Sequence, residues 1–167
     1  MLIALALFML GCNQREVTGD EKTAKEFVEG QEYRVISLLG LLDQYRFSKS
    51  MLYGPDTTPY QQIWSKQGAK PERYFGRKIS VYGFVVANHP LEKQYNAKTR
   101  LYIMLADGKV IGGYSFPDIE GLVGSVYSSD GKTLEEMTAK YSITKYSQWT
   151  KNPPSNGYEG SLSIIYK

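Results

Sequence analysis

The sequence predicts an α+β domain, with N-terminal helices packed on a small, strongly bent antiparallel sheet. Three observations carry that reading. Apolar residues follow helical spacing through residues 20–70. Near Lys78 the pattern turns β-branched and aromatic, as a strand requires. Asp107-Gly108 then stands between two apolar runs, which marks a tight hairpin. Helices first and strands afterwards is the order of an α+β fold.

Composition narrows the classes. The chain has 167 residues, 42% of them apolar and 22% charged, which suits one globular domain and excludes wholesale disorder. Twenty basic and seventeen acidic residues leave a charge of +3, too mild to argue for a nucleic-acid partner. One Cys and one His exclude disulfides and Cys/His zinc sites within a single chain. No cofactor and no metal are expected.

The elements follow in order. Residues 20–30 read as a helix with Asp20 as N-cap and Gly30 at the exit. Within residues 32–48, Val35, Leu38, Leu39, Leu42 and Tyr45 fall on one helical face, so a core-packing helix is expected there. Thr58-Pro59 opens a short helix, with Tyr60, Ile63, Trp64 and Gln67 on one side. Ile79–Ala87 is a strand, and Gly83 in its middle suits a bulge or bend. In the hairpin, Ala106 is expected opposite Lys109; Leu105 opposite Val110, Ile103 opposite Gly112 and Leu101 opposite Tyr114 then share the core face. Gly112-Gly113 reads as a bulge, or as a place where a ligand or another backbone comes close. Residues 118–128 fit a short helix, a strand, or one after the other. Thr133-Leu134-Glu135-Glu136 is a capping box opening a helix to about Lys140. Tyr141, Tyr146 and Trp149 lead to a loop, and Ser161–Tyr166 reads as a closing strand.

The first ten residues, MLIALALFML, are apolar and too short to span a bilayer, which is the length of a signal-peptide core. Met9-Leu10-Gly11-Cys12 resembles the bacterial lipobox. Met9 stands where Leu is usual, Leu10 where a smaller residue is usual, and no Lys or Arg precedes the run. The resemblance implies lipid attachment at Cys12 and an address on the extracytoplasmic face of a cell membrane or outer membrane. The expected organisation is then a signal peptide at 1–11, a lipidated tether at 12–20 and one globular domain at 21–167, helical over 21–70 and β-rich over 76–167.

Gly76–Val85, followed by the Asp-Gly hairpin, is similar to the opening strands of an OB-fold, where a glycine lets one strand bend across both sheets of a small barrel. That resemblance implies an OB-like barrel over 76–166. A simple antiparallel sheet packed on the helices accounts for the same strands.

Catalysis has little to stand on. A Ser–His–acid triad would need His89, which reads as an exposed loop residue before Pro90. Asp107, Asp118, Glu120, Asp130, Glu135 and Glu136 are available to paired-carboxylate hydrolysis, but Asp107 and Asp130 precede glycines in turns, and Glu135 and Glu136 open a helix, which gives those four structural roles. Asp130-Gly131-Lys132-Thr133 reads as a turn and a cap, since the first glycine of a phosphate loop is missing at Val126. Fourteen tyrosines suit a binding surface. A ligand patch is expected from Arg100, Tyr102 and Met104 with Tyr82 and Phe84 on the neighbouring strand. The function expected is a membrane-anchored, non-enzymatic binding or accessory module with a protein or cell-envelope partner. The alternatives are an OB-like module for single-stranded nucleic acid, which the lipobox disfavours, and a carboxylate-dependent envelope hydrolase.

Overall fold

The computed structural model describes residues 17–54, 57–122 and 124–140. The expected signal peptide, Cys12, Tyr141, Tyr146, Trp149 and the closing strand at 161–166 lie outside them. The order is α1 (Gly19–Gly30), β1 (Arg34–Arg46), α2 (Ser50–Tyr53), α3 (Thr58–Ser65), a 3-10 turn (Pro71–Tyr74), β2 (Lys78–Ala87), α4 (Pro90–Tyr95), β3 (Thr99–Ala106), β4 (Lys109–Pro117), β5 (Tyr127–Ser128) and α5 (Leu134–Lys140). The fold is α+β. Its sheet is an antiparallel meander, β1-β2-β3-β4-β5, open rather than closed into a barrel. The OB-like expectation is therefore corrected: among the described residues the strands pair only with their sequence neighbours, and no pairing joins β1 to β5.

The helix expected over 32–48 is a strand. β1 runs 13 residues against the 10 of β2, and register shifts leave Ile36, Leu39 and Leu42 without partners. These three bulges recur every third residue. Val35, Leu38 and Leu41 therefore oppose Val86, Phe84 and Tyr82, alternate residues of β2. A strand with a bulge in each step repeats its side chains every three residues instead of two, and a three-residue apolar repeat imitates a helical face. The helical block expected at 21–70 thus already contains the first strand. Gly83 sits where β1 comes closest: a Cβ there would lie 2.3 Å from Leu42 Cδ1 and 3.1 Å from Leu39 Cβ.

Other boundaries hold with small shifts. α1 begins at Gly19 with Thr18 as its flanking residue, so Asp20 lies in the first turn rather than at the cap. There its charge still favours the positive helix end. α3 likewise begins at Thr58, one residue after Thr57. Residues 118–122 and 124–126 carry no regular element, and β5 follows them. The capping box forms as expected, with Glu136 N–H donating to Thr133 Oγ1 at 3.2 Å and Thr133 N–H to Glu136 Oε2 at 2.7 Å.

The hairpin turn is set by Asp107 (φ 51°) and Gly108 (φ 72°), the two left-handed residues of a type I′ turn. Ala106 pairs with Lys109 and Leu105 with Val110 as expected. Beyond that the register slips by one. Met104 opposes Gly112, Ile103 opposes Gly113, Tyr102 opposes Tyr114 and Leu101 opposes Ser115, because Ile111 is extra. The Gly112-Gly113 signal is thus a bulge. It is also a close approach: the Gln67 side chain clasps Gly113, accepting from its N–H at 2.8 Å and donating to its carbonyl at 3.2 Å.

The sheet carries a core on each face. Ala24 and Val28 of α1 are buried with Phe84, Val86, Leu101, Ile103 and Leu105. Phe47, Leu52 and Trp64 are buried with Ile79, Val81, Met104 and Ala106. Alternation along β3 divides its residues between the two. The second core is strongly aromatic, with the Phe47 and Trp64 rings stacked at 4.1 Å and 7°.

Candidate functional site

The residue that slips changes face. Had Tyr114 stayed opposite Leu101, it would sit with the first core. The Ile111 bulge instead sets it opposite Tyr102, where the two rings stack at 4.8 Å and 8°. Phe116 meets both rings edge-on, at 5.9 Å from Tyr102 and 6.0 Å from Tyr114. Offset stacks and edge contacts are the favourable aromatic geometries, adding about 0.5–1.5 kcal/mol per pair beyond area burial.

This cluster forms the floor of an open groove of about 310 Å³. Thr58, Pro59, Gln62 and Ile63 of α3 form one wall, and Val126, just ahead of β5, adds an apolar contact. α3 is held against the sheet by the Gln67 clasp, and Gln61 Nε2 donates to Leu52 O at 2.6 Å. Burial, followed by the nearby Tyr102, Tyr45, Asp43 and Tyr60, raises the Tyr114 pKa well above the usual phenol range. Its hydroxyl is therefore a neutral donor at physiological pH. Arg100 stands next to Tyr102 on β3 and donates from Nε to Asp118 Oδ1 at 2.5 Å. Both are solvent-exposed enough to exchange partners. The groove offers ring faces, a phenol, a side-chain amide and a hydroxyl, with an ion pair nearby. Its eight lining residues carry aromatic, aliphatic, hydroxyl and amide groups.

The expected ligand patch does not form one surface. Phe84 is fully buried in the core beside α1, and Met104 is fully buried in the core beside α3. Tyr82 packs partly on the former core and Tyr102 partly on the latter. The reason is alternation: both faces of this sheet are covered, so the face taken as free carries a second core. Only Tyr102 lines the groove, with Arg100 near it. Tyr114, Phe116 and the α3 residues were not singled out as ligand contacts in the sequence. The available signal was Gly112-Gly113, since a bulge there reassigns every later residue of β4.

His89 is also corrected, from exposed to 1% exposed. It caps α4: Leu91 N–H donates to Nδ1 at 3.2 Å, which leaves the proton on Nε2 to be donated to Ser129 O at 3.0 Å. Its ring lies 4.8 Å from that of Tyr33. Both ring nitrogens are occupied by backbone, so no triad can be built on it. Three of the candidate carboxylates are engaged, Asp107 with Arg77, Asp118 with Arg100, and Asp130 with Ser128 and Lys132.

No protein-family model matches the chain, and neither a curated protein nor a solved structure matches it significantly. The fold and groove define the molecule on their own terms, as a two-core α+β meander with an aromatic cleft between α3 and the hairpin.

Proposed function

We propose that this chain is a lipid-anchored, extracytoplasmic binding module that holds a protein or cell-envelope partner in the aromatic groove. The observation that carries the binding half is the Tyr102–Tyr114–Phe116 cluster standing open beside α3. Rigid aromatic faces with a phenol and an amide nearby bind at low entropic cost. A groove of this form takes an extended chain with apolar side groups. The lipobox-like Met9–Cys12 supports the anchor, and the membrane is the second partner. The nucleic-acid alternative combined an OB-like barrel with strand aromatics and a basic balance, and the open sheet of the described residues takes only the barrel from it. Of the six carboxylates open to the hydrolase alternative, Asp107, Asp118 and Asp130 are held in ion pairs.

Two measurements test the proposal. Intact mass of native protein from the membrane fraction reads the anchor: a chain beginning at Cys12 with diacylglyceryl mass supports it, and an unmodified soluble chain from Met1 sinks it. For the groove, immobilised extended peptides and envelope glycans are the probes. Tyr102→Ala should weaken any captured ligand by roughly tenfold or more, since anchoring aromatics commonly carry over 1.4 kcal/mol. Arg100→Ala should leave the melting temperature nearly unchanged, because an exposed ion pair contributes about 0–1 kcal/mol. A large fall in melting temperature with intact binding would reassign both residues to structure.

A further inference from the structure

His89 is the chain's only histidine, and its buried ring joins α4 to the turn after β5. At the N-cap of α4, Nδ1 accepts from Leu91 N–H. On the other side Nε2 reaches Ser129 O. A Cβ on Gly131 would lie 3.1 Å from the ring's Cε1, so the turn lies directly against it. A second tie runs between the same two parts: the Tyr95 hydroxyl, at the end of α4, meets the Tyr127 hydroxyl of β5. β5 depends on such ties. Among the described residues it pairs with β4 only at Tyr114–Ser128 and Ser115–Tyr127, and Ser115 Oγ donates to Ser128 O at 2.7 Å.

The joint bears on the groove. Tyr114, the partner of Ser128, is part of its floor, and Val126 lines it directly ahead of β5. Ser129 also backs Gly113, where a Cβ would lie 3.3 Å from Ser129 Cβ. Gly113 is the residue that Gln67 clasps to hold α3. A protonated ring cannot keep these contacts. Its Nδ1 hydrogen would face Leu91 N–H, donor against donor, and its charge would be buried. The groups around it are already engaged. Tyr33, ahead of β1, presents its ring. Glu92 of α4 is taken by Lys98 and by Asn88 N–H, with the charge of Arg34 from β1 also acting on it. Asp130 in the turn is held by Lys132 and Ser128. The two carboxylates favour a charged ring, yet burial outweighs them.

We propose that His89 is a pH-sensitive latch: its protonation releases β5 and the Ser128–Lys132 turn, so that in mild acid the groove loses its Val126 contact and the strand beside Tyr114. The consequence for binding rests on the reading of the groove as a binding site; the unlatching does not. The opened segment exposes an imidazole of ordinary pKa 6.5 in place of one held lower. The open fraction is therefore constant above pH 6.5 and grows as pH falls below it, by about tenfold at most at pH 5.5.

Native-state hydrogen exchange of the whole chain, normalised to the intrinsic rate at each pH, reads the latch with no ligand present. Between pH 7.5 and pH 5.5, segments 89–95 and 126–132 should lose protection by about three- to tenfold, while 79–87 and 99–106 keep theirs. The imidazole proton resonance, unambiguous for a single histidine, should titrate with a midpoint below 6.5, and the Leu91 amide should shift with the same midpoint. His89→Asn should abolish the pH dependence of exchange. Unchanged protection in the wild type overturns the proposal, whether or not the variant folds. So does a loss spread evenly over β2 and β3, which assigns the effect to global unfolding, and so does a midpoint at or above 6.5. For the groove, the probe is an immobilised extended peptide free of His and acidic side chains that is captured at pH 7.5. The wild type should hold it at least about threefold more weakly at pH 5.5, and His89→Asn equally at both. Equal capture by the wild type, or a dependence that survives in the variant, overturns the coupling. Failure of the binding reading is seen separately, as no peptide captured at pH 7.5 by a chain whose 126–132 segment is protected.

Discussion

His89 links β2 to the Ser128–Lys132 turn through contacts that need a neutral ring. Burial lowers its pKa below the ordinary 6.5, outweighing the Ser129 carbonyl and the Asp130 and Glu92 charges, which act the other way. The unfolded chain therefore binds a proton that the folded chain refuses. Stability from this residue is complete above pH 6.5 and is lost as pH falls through 6.5 toward the lower folded value. The melting temperature should decline between pH 7 and pH 5, before the paired carboxylates Glu92 and Asp130 begin to protonate. Their pKa values are lowered, Glu92 by its bonds to Lys98 and Asn88, and Asp130 by Lys132 and Ser128 against a burial effect that raises it. Their stabilisation is lost only further into acid. His89→Asn keeps an acceptor for Leu91 N–H and removes the titration. It should flatten the pH 5–7 slope in a thermal melt series, and an unaltered slope would assign the effect to another group.

At the scale of elements, two bulge systems decide what the sequence could tell. The hairpin was legible because Asp107-Gly108 has a local conformational requirement, and so were the Thr133 capping box and the Pro59 helix. β1 was not, because three bulges give it the repeat of a helix, and bulge positions follow from pairing with β2 rather than from local propensity. Half of the groove was missed for a related reason. One extra residue, Ile111, moves Tyr114 from the face of Leu101 to that of Tyr102. The glycine pair flagged the place, while its partner Gln67 lies 46 residues away and was read only as part of a helical face. That partnership is testable. A Cβ on Gly112 would stand 1.9 Å from Gln67 Oε1 and expel it. Gly112→Ala and Gln67→Ala should each cost about 1–3 kcal/mol, since either strands the polar groups of Gly113. The double variant should cost clearly less than their sum, by ~0.5–3 kcal/mol in a denaturant-melt cycle. Strict additivity would mean that the clasp is not what Gly112 protects.

The whole molecule is two cores divided by one sheet, and the division runs residue by residue along β3. Leu101, Ile103 and Leu105 face the core that holds Ala24 and Val28, while Met104 and Ala106 face the core that holds Phe47, Leu52 and Trp64. Neither core has a strand set of its own. β2 is divided in the same way, with Phe84 and Val86 on one side and Ile79 and Val81 on the other. Loosening one face therefore removes the backing of the other, and the groove, whose floor hangs from β3 and β4, goes with both. The domain should unfold in a single transition although its helices are short and separated. Leu52→Ala and Leu101→Ala hollow opposite cores, and each should cost roughly 2–5 kcal/mol. Calorimetry of either variant should still give one peak, with van't Hoff and calorimetric enthalpies equal. The near-ultraviolet signal of the Tyr102–Tyr114 stack should disappear in the same transition. If Leu101→Ala produced a second, lower peak while the tyrosine signal persisted, the α3-side core and its groove would be an independent unit. The groove would then outlast the loss of α1, which the shared strands argue against.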